Sequence, residues 1–160
     1  MYKDDIENLN ENNTLRCDNV YAVTKILGEE LLSKSKLNTL SIRIPGLLEY
    51  QKSYSLMSNW FNKLINNQTI ELTNANRLFN SYISIDEIFG FIQSLKKIKG
   101  SDIINLTTKK LLTVRETVEI IKMNINSSSE ILINNKSSSN NFRSYCINKA
   151  INQYGFKPEN

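Results

Sequence analysis

The sequence predicts an α/β fold, because segments with helical periodicity alternate with short strand-like runs along its 160 residues. The predicted helices begin near Asp18, Leu56, Asp86, Thr113 and Ile147, and the predicted strands cover 39–44, 70–72, 81–85, 103–106 and 131–133. Few of these strands are apolar enough to form the centre of a parallel sheet. We therefore expect the chain to be part of a larger α/β assembly.

The first predicted helix and strand follow a polar segment. Residues 1–17 lack periodicity and carry acidic side chains such as Asp4, Asp5 and Glu7, so a surface loop is expected. Asp18 then provides a carboxylate that can cap a helix. The apolar stripe of this helix consists of Val20, Tyr21, Val23, Ile26, Leu27, Leu31 and Leu32. The next strand ends at the turn formed by Pro45 and Gly46.

The later elements have their own start and stop signals. Trp60 and Phe61 lie on an apolar helix face, which favours a place in the core. Asp86 and Glu87 stand at a helix start, where acidic groups match the positive end of the helix dipole. The spacing Thr113-x-x-Glu116 is that of a capping box. Ser/Asn-rich loops are expected at 126–129 and 136–141, and Gly155 with Pro158 ends the last helix.

The composition excludes several function classes. The chain has no histidine, so the usual metal sites and histidine-activated nucleophiles are excluded, and proton chemistry must come from Tyr, Lys, Asp or Glu. No metal site is expected. Its 2 cysteines, Cys17 and Cys146, do not make a disulfide framework. No apolar run reaches the roughly 20 residues of a membrane span, and no leader is recognisable, so we expect a cytoplasmic protein without a membrane partner.

The positive charge does not indicate nucleic-acid binding. The net charge is +4 and the sequence pI about 9.0, but the lysines are scattered, with only short clusters such as Lys96, Lys97 and Lys99. Aromatic residues do not alternate with them as in proteins that stack bases. We therefore expect no nucleic-acid partner, and a strongly salt-dependent affinity would contradict this.

The leading candidate for chemistry is the pair Tyr21 and Lys25. At positions i and i+4 of a helix, the phenol and the ammonium project from one face. A free phenol titrates near pH 10, and an ammonium a few ångströms away favours the phenolate, which is useful for a base at neutral pH. Tyr145 and Lys149 have the same spacing. Spacing alone does not separate the two pairs, and we expect a structural role for Tyr145.

The surroundings of Tyr21 resemble a known family. The runs 18–29, 40–46, 80–88, 103–106 and 154–158 occur in this order. They resemble, in turn, the Tyr-x-x-x-Lys helix, the following strand and loop, a hydrophobic strand leading into an acidic helix start, a late strand of the cofactor sheet, and a closing Gly-aromatic-x-Pro. This is the pattern of extended short-chain dehydrogenases/reductases, the NAD-dependent epimerase/dehydratase family, in its C-terminal portion only.

The resemblance implies the C-terminal part of a Rossmann-type parallel sheet with a small α/β substrate-binding lobe. Residues 1–45 and 86–108 would belong to the cofactor-binding domain, and residues 46–85 and 109–160 to the lobe. The implied enzyme transfers a hydride between NAD or NADP and a nucleotide-linked sugar, as an epimerase, dehydratase or reductase.

The same resemblance implies roles for individual residues. Tyr21 would exchange a proton with a sugar hydroxyl, Lys25 would hold the nicotinamide ribose, and Pro45 would lie beside the cofactor. Gly46 stands where many relatives have a substrate-binding Asn, and Asn80 where they have an Arg. Arg77 or Arg143 offers a planar guanidinium suited to a diphosphate, although a solvated surface position is an equal alternative for both. The sugar, and the choice between NAD and NADP, stay open.

Two parts of the family's machinery have no counterpart in the sequence. The catalytic Ser or Thr would fall before Met1, since Thr14 is too close to Tyr21, and Tyr2 matches the aromatic residue that follows that Ser. With 5 glycines in all, there is no Gly-rich phosphate-binding turn. We therefore expect the chain alone neither to bind NAD(P) tightly nor to turn over.

Two classes of function consequently stay open. The chain is either an enzyme fragment, completed by an N-terminal half, or a non-catalytic remnant or binding module on the same scaffold. Homodimer formation through the helix around Ile26 and Leu27 is a further expectation, with core packing of that stripe as its alternative.

Overall fold

The computed structural model describes residues 8–48, 55–134 and 143–159, and this part of the chain alternates helices with short strands. The helices are α1 (Val20–Lys34), α2 (Leu56–Ile65), α3 (Ile85–Ser94), α4 (Val114–Asn124) and α5 (Asn148–Tyr154). The strands are β1 (Thr39–Arg43), β2 (Leu47–Leu48), β3 (Ile70–Thr73), β4 (Leu78–Phe79), β5 (Ile83–Ser84), β6 (Ser101–Asn105), β7 (Leu112–Thr113) and β8 (Ile131–Asn134). The predicted α/β fold is confirmed.

The strands pair two by two, mostly in parallel. β1 pairs with β6, β2 with β5 and β3 with β8, all parallel, whereas β4 and β7 are antiparallel. Parallel pairing requires a crossover connection, and helices lie between the partners in each case. β2, β4 and β7 have two residues each, too few to show an alternating pattern, and the sequence did not predict them as separate strands.

Two clusters of buried side chains form the core. The first joins α2, β3, β4 and α4 through Met57, Trp60, Leu64, Ile70, Leu72, Ala75, Phe79, Val114, Val118 and Ile121. Trp60 is therefore core, as predicted, and Phe61 packs against the same cluster. The second cluster joins β5, α3, β6 and α5 through Ile83, Phe91, Ile104, Leu106, Ile147, Ala150 and Phe156. α5, which the predicted division assigns to the lobe, packs with β6, which the same division assigns to the cofactor-binding domain.

Helix α1 differs from its prediction at its start and on its surface. Asn19 caps the helix by accepting the Ala22 N–H at 2.8 Å, while Asp18 pairs with Arg16 at 3.2 Å. An amide at the cap position satisfies the same free N–H groups as a carboxylate. Most of the predicted apolar stripe is exposed, with Val20 at 80% and Leu31 at 63%. Ala22 is the one buried residue of α1, and the helix packs against β1 and β6.

The other helix boundaries follow the sequence signals. Thr113 and Glu116 form the predicted capping box of α4, and Glu87 forms a second one with Ser84 at the start of α3. The role of Glu87 as a helix-start partner is thereby confirmed. Gly155 ends α5 with a φ of 70°, a left-handed conformation that glycine adopts without steric cost.

The N-terminal segment is more than a surface loop. Leu9 is fully buried, its N–H donates to the Ser144 carbonyl at 2.9 Å, and its carbonyl accepts the Cys146 N–H at 2.8 Å. The predicted loop is wrong at this point, because one apolar residue in a polar run is enough to insert beside the chain before α5. Tyr2, Asp4, Asp5, Glu7 and the whole loop 136–141 lie outside the described residues.

A cluster of charged and polar side chains fastens α5 to β6. Lys149 Nζ donates to Asp102 Oδ1 at 2.5 Å, and Tyr154 Oη donates to Asp102 Oδ2 at 2.6 Å. Burial raises the pKa of the Asp102 carboxyl, but the hydrogen bonds from Lys149 and Tyr154 outweigh it and leave the pKa below its ordinary value. Burial and the Asp102 carboxylate raise the pKa of Tyr154 to about 12.

These shifts predict a pH-dependent contribution to stability. Because its folded pKa is raised, the Tyr154 hydroxyl stabilises the fold fully below pH 10 and loses this contribution as the pH rises towards 12. Replacing Tyr154 by Phe should cost about 1.5–3 kcal/mol at pH 8, the usual net value of a hydrogen bond to a charged group. Urea denaturation of both proteins should show this difference shrinking between pH 10 and 12. A difference that stays constant over that interval would contradict the assignment.

The acid side of the same cluster has the opposite sign. The folded pKa of Asp102 is depressed, so its contribution is present above its ordinary titration near pH 4 and is lost as the pH falls through the folded value.

None of the helices in the described segments is long and apolar enough to span a membrane.

Candidate active site

Tyr21 and Lys25 lie on adjacent turns at the start of α1. Lys25 Nζ is 5.3 Å from the centre of the Tyr21 ring, within the range of a cation–π contact. Tyr21 is 71% exposed, and Lys25 is exposed as well. The pair therefore exposes a phenol and an ammonium to solvent on one helix face, the arrangement that the sequence predicted from their spacing.

A buried ion pair fixes the position of α1. Arg43, at the end of β1, donates from Nε and NH2 to the two carboxylate oxygens of Glu29 at 2.8 and 2.7 Å. The two side chains are only 7% and 13% exposed, and Arg43 also donates to the Glu11 carbonyl at 3.1 Å. Glu29 lies eight residues, or about 12 Å along α1, after Tyr21. The bidentate ion pair between Arg43 and Glu29 therefore anchors the helix that carries Tyr21 and Lys25.

The loop after β1 makes a close backbone contact with the segment before β5. Gly46 accepts the Ile83 N–H at 3.0 Å, and a Cβ at Gly46 would lie 2.7 Å from the Ser81 carbonyl oxygen. Only glycine fits between these two backbones. Pro45, the predicted cofactor contact, is half-buried directly before it.

Gly46→Ala should therefore destabilise the protein by about 1–3 kcal/mol, since either the loop or the Ser81 backbone must move. Gly28→Ala is the matched control, because a Cβ there meets nothing within 4 Å and alanine favours the helix. Thermal unfolding of both variants measures the difference. Equal melting temperatures would contradict the close contact.

Asn80 is a buried connector between three segments. Its Nδ2 donates to the carbonyls of Thr108 and Tyr145 at 3.0 and 3.1 Å, and its Oδ1 accepts the Tyr145 N–H at 2.8 Å. Next to it, Ser81 Oγ donates to the Arg143 carbonyl at 2.5 Å. The predicted substrate residues Gly46, Asn80 and Arg143 thus all lie close to Ser81. Their contact with a substrate stays a prediction.

Arg77 lies beside a separate polar concavity of about 290 Å³, which it lines with Asn74, Asn76 and Asn134. Its backbone carbonyl accepts the Val114 N–H at 3.1 Å, which fixes the turn before β4. Carboxamides and a guanidinium are suitable donors for an oxygen-rich ligand. The role of Arg77 in substrate binding also stays a prediction.

The second Tyr-x-x-x-Lys sequence has a different environment. Lys149 is held by Asp102 and by the Ile103 carbonyl at 2.9 Å, and the Tyr145 backbone is bound to Asn80. Lys149 is therefore committed to the α5–β6 contact, whereas Lys25 makes no ion pair in the described part of the chain. The structure thus distinguishes the environments of the two Tyr-x-x-x-Lys pairs, which spacing alone does not.

Residues 8–48, 55–134 and 143–159 hold no group of three potential Cys, Asp or Glu metal ligands.

Comparison with known proteins rests on the fold. No family model matches the sequence, and no curated protein matches it. Among solved structures, the UDP-glucuronic acid 4-epimerase of Bacillus cereus in complex with NAD is 14% identical, with a TM-score of 0.76 over 99% of this chain and 53% of that one. RMD of Pseudomonas aeruginosa, complexed with NADPH, is 15% identical, with a TM-score of 0.70 over 95% of this chain and 55% of that one.

A third similar structure is the UDP-glucose 4-epimerase of Thermotoga maritima with UDP-glucose. It is 12% identical, with a TM-score of 0.68 over 86% of this chain and 46% of that one. The chain therefore spans about half the length of these proteins. Its fold is that of the C-terminal part of Rossmann-type epimerases, as the sequence predicted.

Proposed function

We propose that the chain is the C-terminal part of an NAD(P)-dependent epimerase, dehydratase or reductase that acts on a nucleotide-linked sugar. The observation that carries this proposal is the exposed Tyr21–Lys25 pair on a helix anchored by Arg43 and Glu29. Structures of the same fold bind NAD, NADPH and UDP-glucose, which supports both the cofactor and the substrate class. The cytoplasm is the proposed compartment.

The residues present fit the nicotinamide-ribose end of such a cofactor. Tyr21 and Lys25 are both exposed on one face of α1, so their donors are accessible to ribose hydroxyls. The loop that contains Pro45 directly follows β1, the strand that the Arg43–Glu29 ion pair joins to α1. When bound, NAD(P) would accept or return the hydride. Tyr21 Oη would exchange a proton with the sugar hydroxyl. Lys25 would stabilise negative charge on that oxygen and hydrogen-bond the ribose.

We also propose that an N-terminal half completes the sheet. β1 pairs only with β6 among the described strands, and Leu40 and Ile42 of β1 are just half-buried. Strands of parallel sheets are normally covered on both faces, and an unpaired edge offers free N–H and C=O groups to another strand. Further parallel strands in an N-terminal half would pair with this edge of β1, and the same half would supply the Gly-rich turn.

Homodimer formation is the second partner proposal, and the exposed apolar stripe of α1 supports it. Leu27 and Leu31 are 54% and 63% exposed, one turn apart on the same face. Sedimentation of the purified chain distinguishes the cases: a stable dimer favours self-association, whereas a monomer that binds an added N-terminal half favours complementation.

The chain alone should bind NADH with no better than millimolar affinity. Without a Gly-rich turn, no helix N-terminus in the described residues is shaped to receive the pyrophosphate, and this contact supplies much of the binding in such folds. Fluorescence titration of NADH against the purified chain measures the affinity. Micromolar binding would overturn the expected dependence on a second segment.

The alternative is a non-catalytic remnant or binding module on the same scaffold. The DNA upstream of the Met1 codon distinguishes it from the enzyme. A reading frame that encodes a Gly-rich turn and a Ser or Thr about two dozen residues before Tyr21 favours a split enzyme, and co-expression of both segments should then restore NADH binding. If the frame is missing, the remnant is favoured.

A further inference from the structure

A basic concavity lies at the opposite end of the β1–β6 sheet from Tyr21. It has a volume of about 730 Å³ and is formed by the α3–β6 connection and the end of α5. Its lining includes four lysines, Lys96, Lys97, Lys99 and Lys157, together with the carboxamides of Asn152 and Gln153. These six side chains offer hydrogen-bond donors to a ligand, and four of them carry a positive charge.

The position follows from the strand directions. Lys99 precedes Gly100, whose carbonyl accepts the Thr39 N–H at 2.8 Å at the start of β1. Arg43, which binds α1 through Glu29, stands at the other end of the same strand. In α/β sheets, the main ligand binds beyond the carboxyl ends of the strands, so this concavity lies outside the proposed cofactor site.

The residues that line the concavity do not balance its positive charge. No Asp or Glu is among the described residues that line it, and none of its four ammonium groups makes an ion pair within residues 8–48, 55–134 and 143–159. The C-terminal ends of α3 and α5 point towards it, and each contributes roughly half a negative charge. Four positive charges against about one negative charge leave a clear excess.

The adjacent acidic groups do not cancel this excess. Tyr154 lines the concavity, but Asp102 behind it is already paired with Lys149. Lys157 also borders a smaller concavity that is lined by three acidic residues, Asp86, Glu87 and Glu159, so its charge is partly balanced there. Lys96, Lys97 and Lys99 therefore carry most of the attraction for an anion.

We propose that this concavity binds a small polyphosphate anion, a compound with two or more linked phosphate groups. Lysine ammoniums bind phosphate as point charges, and several of them around one cavity favour a ligand with several charges over a single phosphate. The size of the cavity suits a compact molecule. This inference does not depend on the proposed function, because it uses none of the residues around Tyr21.

Isothermal titration of the purified chain with sodium tripolyphosphate tests the proposal. We expect one ligand per chain, at least about tenfold tighter binding than for orthophosphate, and weaker binding as NaCl is raised. Absence of binding at millimolar tripolyphosphate would overturn the site. Tighter binding of a single-stranded DNA oligonucleotide than of tripolyphosphate would also overturn it, in favour of a nucleic-acid surface.

A pair of double variants with equal charge change locates the binding. Lys97→Gln with Lys99→Gln should weaken tripolyphosphate binding about tenfold, since each lost charge is expected to cost about threefold. Lys109→Gln with Lys110→Gln removes two exposed lysines that do not line the concavity and should change the affinity less than twofold. Equal losses in both double variants would show a general charge effect and overturn the proposal.

Discussion

Replacing Arg43 by leucine should lower the free energy of unfolding by about 3–5 kcal/mol, the usual cost of removing one partner of a buried ion pair. The substitution leaves the Glu29 carboxylate, 13% exposed, without its two guanidinium donors and removes the hydrogen bond to the Glu11 carbonyl. Leucine fills part of the volume of the arginine side chain but donates no hydrogen bond. Urea denaturation followed by circular dichroism measures the loss.

Arg115→Leu is the matched control for this prediction. Arg115 and Glu119 form an ion pair with the same 2.7 Å distance, but their side chains are 53% and 42% exposed. An exposed pair contributes little, so the change should stay within about 0.5 kcal/mol. Glu29→Leu combined with Arg43→Met should recover much of the stability lost in the single variant, because no charge is then left buried. Similar losses for Arg43→Leu and Arg115→Leu would contradict the buried pair.

The second large effect concerns turnover. In a complex of this chain with an N-terminal half, Tyr21→Phe should lower kcat by about 10²–10⁴, the usual contribution of a positioned proton donor. The KM for the nucleotide sugar should change little, because the phenyl ring keeps its place on α1. Steady-state kinetics on the co-expressed complex, with NADH binding checked separately, measures both parameters.

Tyr145→Phe provides the control, since Tyr145 stands in the same Tyr-x-x-x-Lys spacing but lies in the Asn80 connector. Its kcat should stay within about twofold of the unmodified complex. A kcat loss in Tyr145→Phe, with Tyr21→Phe fully active, would reverse the assignment of the catalytic pair. Full activity in both variants would overturn the proposed catalytic role of Tyr21.

Local signals in the sequence were sufficient for the helices α1 to α5, for five of the eight described strands and for proposing the candidate pair. Helix starts such as Thr113–Glu116 depend on residues three apart, and the exposed face of Tyr21 and Lys25 depends on residues four apart. The motif order that resembles an epimerase was also readable along the chain. At the helix starts and in the Tyr21–Lys25 pair, the interacting residues are close both in the sequence and in space.

The sequence did not predict the contacts between residues that lie far apart along the chain. Glu29 and Arg43 both lie in the family-like runs, but nothing in either run indicates that they pair at 2.7 Å. Asn80 was predicted only as the counterpart of a substrate-binding Arg, and nothing in its run indicates that its amide connects Thr108 and Tyr145 across 28 and 65 residues. The exposure of the α1 stripe was equally undetermined, since periodicity marks an apolar face without stating what covers it.

The parallel strand pairing has a consequence for how the chain folds. Thr39 meets Ser101 across 62 residues, Leu64 meets Ser127 across 63, and Asn8 meets Ser144 across 136. Long loops must therefore close before these contacts form, and such topologies fold slowly, on the scale of milliseconds to seconds. During synthesis, α1 and β1 emerge well before β6. Their apolar side chains therefore stay exposed until β6 has been synthesised, and during this interval the chain is most prone to aggregation.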